Sequence, residues 1–257
     1  MKNSLVKPQL IFFIPTVIFL TAALQAWAGP PFLTDDPEPV DTGHFEFYLF
    51  STLDKSGGND LIQGPAVEFN WGAMPNLQLH IVTTLTYSSF SRNEFSEYGL
   101  GDSEAGFKLR FAGKEPDSLQ MGIFPMAEIS TGDSSRGLGN GLTWYKVPLW
   151  IQKRWGPWTT YGGGGYAFNA APGARNYPFG GWLLQRDLND WLTVGGEVFA
   201  QGQDTDSDQG FLLANIGGYL NFSPQFSLLF SGGHSIVGDD HTVMYLGLYW
   251  TWGPEEK

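Results

Sequence analysis

From Gly43 onward, polar and apolar residues alternate in runs of about ten, each closed by a turn or loop, and no stretch holds a helical period. About twelve such runs fit the strand criteria. They begin near His44, Pro65, Asn76, Gly101, Leu119, Leu142, Trp158, Phe179, Trp191, Gly210, Gln225 and Thr242. Their connections alternate in length. Tight turns fall at 72–76, 112–118, 155–158, 187–190 and 222–225, and longer polar loops are expected at 54–60, 88–98, 131–140, 170–177, 203–209 and 237–241. This short and long alternation predicts an all-β protein, a transmembrane antiparallel up-and-down β-barrel of about twelve strands over 43–253. An even strand count puts both termini on one side, the periplasmic side if the tight turns lie there.

Tryptophan placement points the same way. Trp71, Trp155, Trp158, Trp191, Trp250 and Trp252 all fall at the tight-turn ends of the runs, where rings that favour the headgroup boundary would form a girdle. The competing reading, a soluble β-sandwich with core aromatics, does not require that clustering. Alternation then assigns the faces. In "LQLHIVTTLTY" (77–87), Leu77, Leu79, Ile81, Thr83 and Leu85 face lipid, while Gln78, His80, Thr84 and Thr86 face inward. In "GDSEAGFKLRF" (101–111), Asp102, Glu104, Lys108 and Arg110 point into the lumen. Glu46, Glu68, Glu128, Lys146, Gln152, Arg154 and Glu197 follow the same phase. A charge facing lipid near the midplane costs about 2–4 kcal/mol, so this confinement is physically required. The chief luminal charges, Asp102, Glu104, Lys108, Arg110, Glu128, Lys146, Arg154 and Glu197, form either an ion-pair network that fills the barrel or a constriction that selects solutes.

Residues 1–28 read as a cleaved export signal: Lys2 and Lys7, an apolar run from Leu10 to Leu24, then Ala26-Trp27-Ala28. That run is short for a membrane helix, contains Pro15 and lacks a basic flank, which disfavours a retained anchor. The chain has no cysteine, so neither lipidation of a new N-terminus nor disulfides can hold it. Without Lys2 and Lys7, twelve basic residues face 26 acidic ones, a formal charge of −14. Such a surface excludes nucleic acid as a partner and leaves outer-membrane lipid, lipopolysaccharide and a small solute, with the protein acting as a monomer. Residues 29–42, "GPPFLTDDPEPVDT", are too proline-rich for strand or helix. They are either a floppy periplasmic leader or a plug in which Asp35, Asp36 and Glu38 meet Arg154 or Arg110. Residues 254–257 are a short tail.

Three stretches invite chemistry. "YGGGGYAF" (161–168) lacks the Lys-Ser/Thr and the helix of a phosphate loop, and glycine within a strand marks a bend or room for a neighbour. "DTDSDQG" (204–210) begins like a calcium loop, but its glycine is one place late and no glutamate closes it. It reads as a solvated tip, with loose divalent-ion bridging to lipopolysaccharide as the alternative. In "GGHSIVGDDH" (232–241), His234 and Ser235 are strand neighbours that face oppositely, which is no nucleophile and base pair. No catalytic, cofactor or metal residues are assigned.

Five segments carry a family likeness: "GPPFLTDDPEPVDTGHFEFYLF", "GLGDSEAGFKLRF", "YKVPLWIQKRWGPWTTYGGGGYAFN", "GWLLQRDLNDWLTVGGEVF" and "GGYLNFSPQFSLLFSGGHSI". Together they resemble the outer-membrane family named for the MetA pathway of phenol degradation, whose members are called transporter-like. The resemblance implies a Gram-negative outer-membrane barrel and brings no catalytic residues with it. One departure is the "GPEEK" that follows the terminal aromatic strand "YLGLYWTW". The expectation is a passive channel for small molecules, aromatic ones only by the family's name. A structural barrel with a plugged lumen is the alternative, and an outer-membrane enzyme the third reading.

Overall fold

The computed structural model describes residues 30–56, 59–90, 95–115 and 117–254. Residues 1–29, which hold the expected export signal, three short internal stretches and the last three residues lie outside them. Every strand pairs antiparallel with its sequence neighbour, and the first pairs with the last, so the sheet closes. The strands are β1 (Phe45–Ser56), β2 (Asn59–Met74), β3 (Leu77–Phe90), β4 (Phe95–Leu100 and Ser103–Ala112), β5 (Gln120–Ile123 and Met126–Ile129) and β6 (Trp144–Trp155). They continue as β7 (Trp158–Phe168), β8 (Tyr177–Asn189), β9 (Leu192–Gln201), β10 (Phe211–Ser223), β11 (Phe226–Gly238) and β12 (His241–Trp252). The result is a closed twelve-stranded antiparallel barrel. Two strands are broken in the middle, β4 at Gly101-Asp102 and β5 at Phe124-Pro125. Proline has no N–H for the ladder, and the Pro125 carbonyl instead accepts from the Phe107 N–H at 3.2 Å.

At three of the six expected long loops the flanking strands continue, paired, into the stretch expected as loop. Lys55 pairs with Asp60 in the β1–β2 ladder, Ser88 with Glu97 between β3 and β4, and β11 and β12 are separated by only Asp239 and Asp240. Polar composition there reflects exposure to water, not loss of pairing. Strand β2 accordingly starts at Asn59, six residues before the expected Pro65. The long connections are 130–143, which holds a short 3₁₀ turn at Ser134–Arg136, and 169–176 and 202–210.

The alternation is realised as two unlike surfaces. Leu79, Ile81, Phe107, Leu149, Trp182, Ile216 and Leu246 are exposed on the outside, while Gln78, His80, Thr84, Lys108, Gln152 and Glu197 are buried within. At the tight-turn end Phe45 stacks between Trp71 at 6.3 Å and Trp252 at 5.6 Å, and Trp250 meets Trp252 at 5.9 Å. Trp155 and Trp191 are exposed at the same end, and Trp158 is half-buried under the Arg186 guanidinium. This outer face gives a direct test. Ile81→Arg places a charge on the outside in the middle of β3 and should destabilise the folded barrel by about 2–4 kcal/mol if that face meets hydrocarbon. Urea titration of folding into phospholipid vesicles measures it, and an unchanged midpoint would mean the face is not lipid-covered.

Candidate functional site: a plugged lumen with a cavity above the plug

The proline-rich segment before β1 runs up inside the barrel from the tight-turn end. Backbone hydrogen bonds fix where it enters: the Gly43 N–H donates to the Gly72 carbonyl at 2.7 Å, and the His44 N–H to the Asp41 carbonyl at 2.9 Å. One step higher, the Val40 N–H donates to the Gln78 side chain at 3.0 Å. Glu38 accepts from Arg154 at 2.7 Å and from Gln152 at 2.8 Å, with Arg110 at 3.8 Å. Above that, the Lys108 ammonium donates to Asp35 at 3.0 Å and Asp36 at 3.3 Å. The Leu33 N–H donates to Glu197 at 3.2 Å, the Thr34 N–H donates to the other oxygen of that carboxylate, and Ser231 donates to the Pro31 carbonyl. Phe32 packs on Tyr161 and Leu183, all three buried. A segment without strand or helix must find partners for its backbone donors from side chains, and the luminal polar residues supply them.

Glu38 thus sits against Arg154 and Arg110 as the plug reading described, whereas Asp35 and Asp36 do not. Their partner is Lys108, one inward position above Arg110, because the chain climbs deeper than the mouth. Three carboxyls, Asp35, Asp36 and Glu46, lie around that single ammonium. Burial accordingly pushes the Asp36 carboxyl up to about 8, against the pull of Lys108. Gly181 on β8, outside the 161–168 run, faces the plug directly: a Cβ there would lie 2.1 Å from the Thr34 hydroxyl.

Of the luminal charges, Lys146 bridges Glu104 at 2.6 Å and Glu128 at 3.4 Å, and Glu104 also meets the His80 ring at 2.9 Å. His80 reaches Asn70 at 2.7 Å, and Asn70 donates to Glu68 at 2.8 Å and Glu46 at 3.3 Å. Glu46 accepts from the Tyr48 and Tyr249 hydroxyls at 3.1 Å each. One connected network therefore spans β1 to β6. Arg110 is held at the tight-turn end by Asn76 and Gln120. Two members of the set do something other than line a constriction. Glu197 anchors the plug backbone, and Asp102 accepts from the Gly132 and Asn140 N–H groups, tying down loop 130–143.

Above the plug lies a cavity of about 480 Å³ floored by Pro30, Phe32, Leu33 and Asp35. It reaches Asp54, Asp204 and His241 near the long-loop end, where the Asp54 carboxylate meets the His241 ring at 3.0 Å. Burial and the neighbouring Asp208 carboxyl push Asp204 up to about 6. Much of the lining is aromatic, including Trp144, Trp150, Tyr177, Phe179, Phe199 and Phe211. Sequence reasoning did not single these out, although Trp144 and Trp150 share the inward phase of Lys146 and Gln152. Among the described residues no cluster of His, Asp or Glu suits a metal ion. His234 bonds Thr242 at 2.9 Å, and the Ser235 hydroxyl accepts from the His241 N–H, so these neighbours form no nucleophile and base pair.

Closed barrel, lipid-type exterior and a lumen occupied by the chain's own N-terminal segment define the fold class of outer-membrane barrels. Among solved structures, an outer membrane channel from Pseudomonas putida F1 superposes with a TM-score of 0.69 at 11% identity, over 84% of this chain and 98% of that one. The translocator domain of the autotransporter NalP from Neisseria meningitidis gives 0.51 at 14% identity, over 81% and 88%. At these identities the likeness is one of fold. No protein-family model matches the sequence, and no curated protein does.

Proposed function

We propose that the protein is a monomeric, passive outer-membrane channel for small apolar molecules, aromatic compounds among them, with the tight turns and both termini in the periplasm. The observation that carries this reading is the aromatic-lined cavity of about 480 Å³ between the plug and the long-loop end. A lumen that served only as structural filling would be packed to the density of a protein interior, and ligand sites of this volume are usual. The Trp girdle at the tight-turn end and the fold shared with the Pseudomonas putida channel support the membrane placement. The likeness to the family named for phenol degradation rests on sequence segments alone and is consistent with an aromatic solute.

The plug favours a second reading, a structural barrel whose lumen never opens. Uptake separates the two. Gram-negative cells producing the protein should accumulate a radiolabelled aromatic hydrocarbon several-fold faster than cells without it. Equal initial rates, with no single-channel steps in planar bilayers, would leave the structural barrel.

A further inference from the structure

The cavity above the plug has two unlike walls. Strands β6 and β8 to β10 contribute aromatic faces in a continuous run: Trp150 meets Phe179 at 6.4 Å, Phe179 meets Phe199 at 6.5 Å, and Phe199 meets Phe211 at 6.5 Å. Strands β2 and β4 contribute Glu68 and Glu104 from the other side of the ring, and β5, beside β6, contributes Glu128. In all, seven carboxylate side chains and one lysine, Lys146, line the cavity. Lys108 beneath it offsets one of the seven, Asp35, because the Asp36 carboxyl beside it is held protonated by burial. With Lys146 and Lys108 both counted, full protonation of the two lining histidines, His80 and His241, would still leave a surplus of three negative charges.

Such a surplus in a low-dielectric enclosure creates a strongly negative potential. Aromatic faces add to it through their quadrupoles. The chain already uses this combination on its own cations: the Lys146 ammonium lies 5.3 Å from the Trp144 ring centre, and the Lys108 ammonium 5.1 Å from that of Phe124. An anion of the same shape meets repulsion, and a neutral hydrocarbon must lie beside carboxylates that lose water without gaining a partner. An inorganic ion leaves the apolar wall unused.

We propose that this cavity selects organic cations, an ammonium group carried on an aromatic ring, with the ring against the Phe179–Phe199–Phe211 wall and the charge toward the carboxylates. The inference rests on the channel reading in taking the cavity as a ligand compartment, and it replaces the neutral aromatic solute of that reading with a cationic one.

Equilibrium binding tests it on the full-length mature protein in nanodiscs, with empty discs subtracted, by titration calorimetry. Four probes are compared: benzyltrimethylammonium, benzyl alcohol, phenylacetate and tetramethylammonium. Benzyltrimethylammonium should bind at least tenfold more tightly than the neutral alcohol or the ringless cation, and phenylacetate most weakly. Its affinity should fall several-fold in Glu128→Gln and in Asp54→Asn, two carboxylates at different depths, so that loss of folding in one leaves the other. Benzyl alcohol binding as tightly, tetramethylammonium binding as tightly, or unchanged affinity in a folded variant would each overturn the proposal. Binding needs no passage, so the two readings fail separately. Uptake of neutral aromatics with no preference for the cation overturns only the charge class, and selective binding without uptake overturns only the channel.

Discussion

Deleting residues 30–40 converts a closed or narrowly conducting barrel into one with single-channel conductance several-fold higher in planar bilayers. The deletion removes the whole climbing segment but keeps Asp41 to His44, whose backbone bonds set the entry to β1. Closure does not depend on the plug, because the β1–β12 ladder runs from Phe45↔Trp252 to Ser56↔His241 without it. What the deletion leaves behind is Lys108, Arg110, Arg154 and Glu197 facing a lumen that water can now enter, and charges that gain water are not destabilised. The cavity would join the space vacated by Phe32, Thr34 and Asp36, all buried in the intact chain. Conductance unchanged by the deletion, in a barrel that still shows heat-modifiable migration, would mean that the passage is blocked elsewhere. The cluster of Tyr48, Tyr219, Leu229 and Tyr249 would be the first place to look.

The strand pattern was readable because a barrel in lipid enforces it residue by residue. Lys108 cannot face outward at its depth, so the phase of β4 is fixed by a single charge, and Glu104 and Arg110 follow. Lys146, Gln152 and Arg154 fix β6 in the same way. Outside the hydrocarbon that enforcement ends. The polar ends of β1 and β2 resemble a loop in composition while their ladder continues from Asp54↔Leu61 to Ser56↔Asn59. The plug's depth was beyond reach for a different reason: a segment with no period has no phase to read. Whether Asp36 meets Arg110 or Lys108 is then decided by distant contacts, chiefly Glu197 on β9 holding the Leu33 and Thr34 N–H groups. The aromatic wall sits between these cases. Trp144 and Trp150 share a readable inward phase, but the girdle rule draws tryptophans to the interface, and nothing local says that a cavity remains above a plug.

Lys108→Met should release the plug while the barrel stays folded. The substitution keeps most of the apolar stem beside Phe124 but leaves the Asp35 carboxylate, half-buried above the fully buried Asp36, without its cation. Removing one partner of a buried ion pair costs about 3–5 kcal/mol. Two structures compete to absorb that cost. The barrel is held by a closed ladder of twelve strands, whereas the plug is held by a few side-chain bonds and one aromatic contact, so the plug yields first. The population of the released state rises by about two to three and a half orders of magnitude. Because the chain has no cysteine, a single Thr34→Cys substitution reports it: the buried position is slow to react with a membrane-impermeant maleimide while docked and fast when released. Lys108→Arg, which keeps a cation, should label slowly. Adding Asp35→Asn to Lys108→Met should recover much of the protection, since the stranded charge is then gone. Fast labelling in all three variants would show that packing of the lysine stem, not its charge, holds the plug. Slow labelling in Lys108→Met would show that Glu197 and Glu38 suffice, and would move the latch from the middle of the lumen to its two ends.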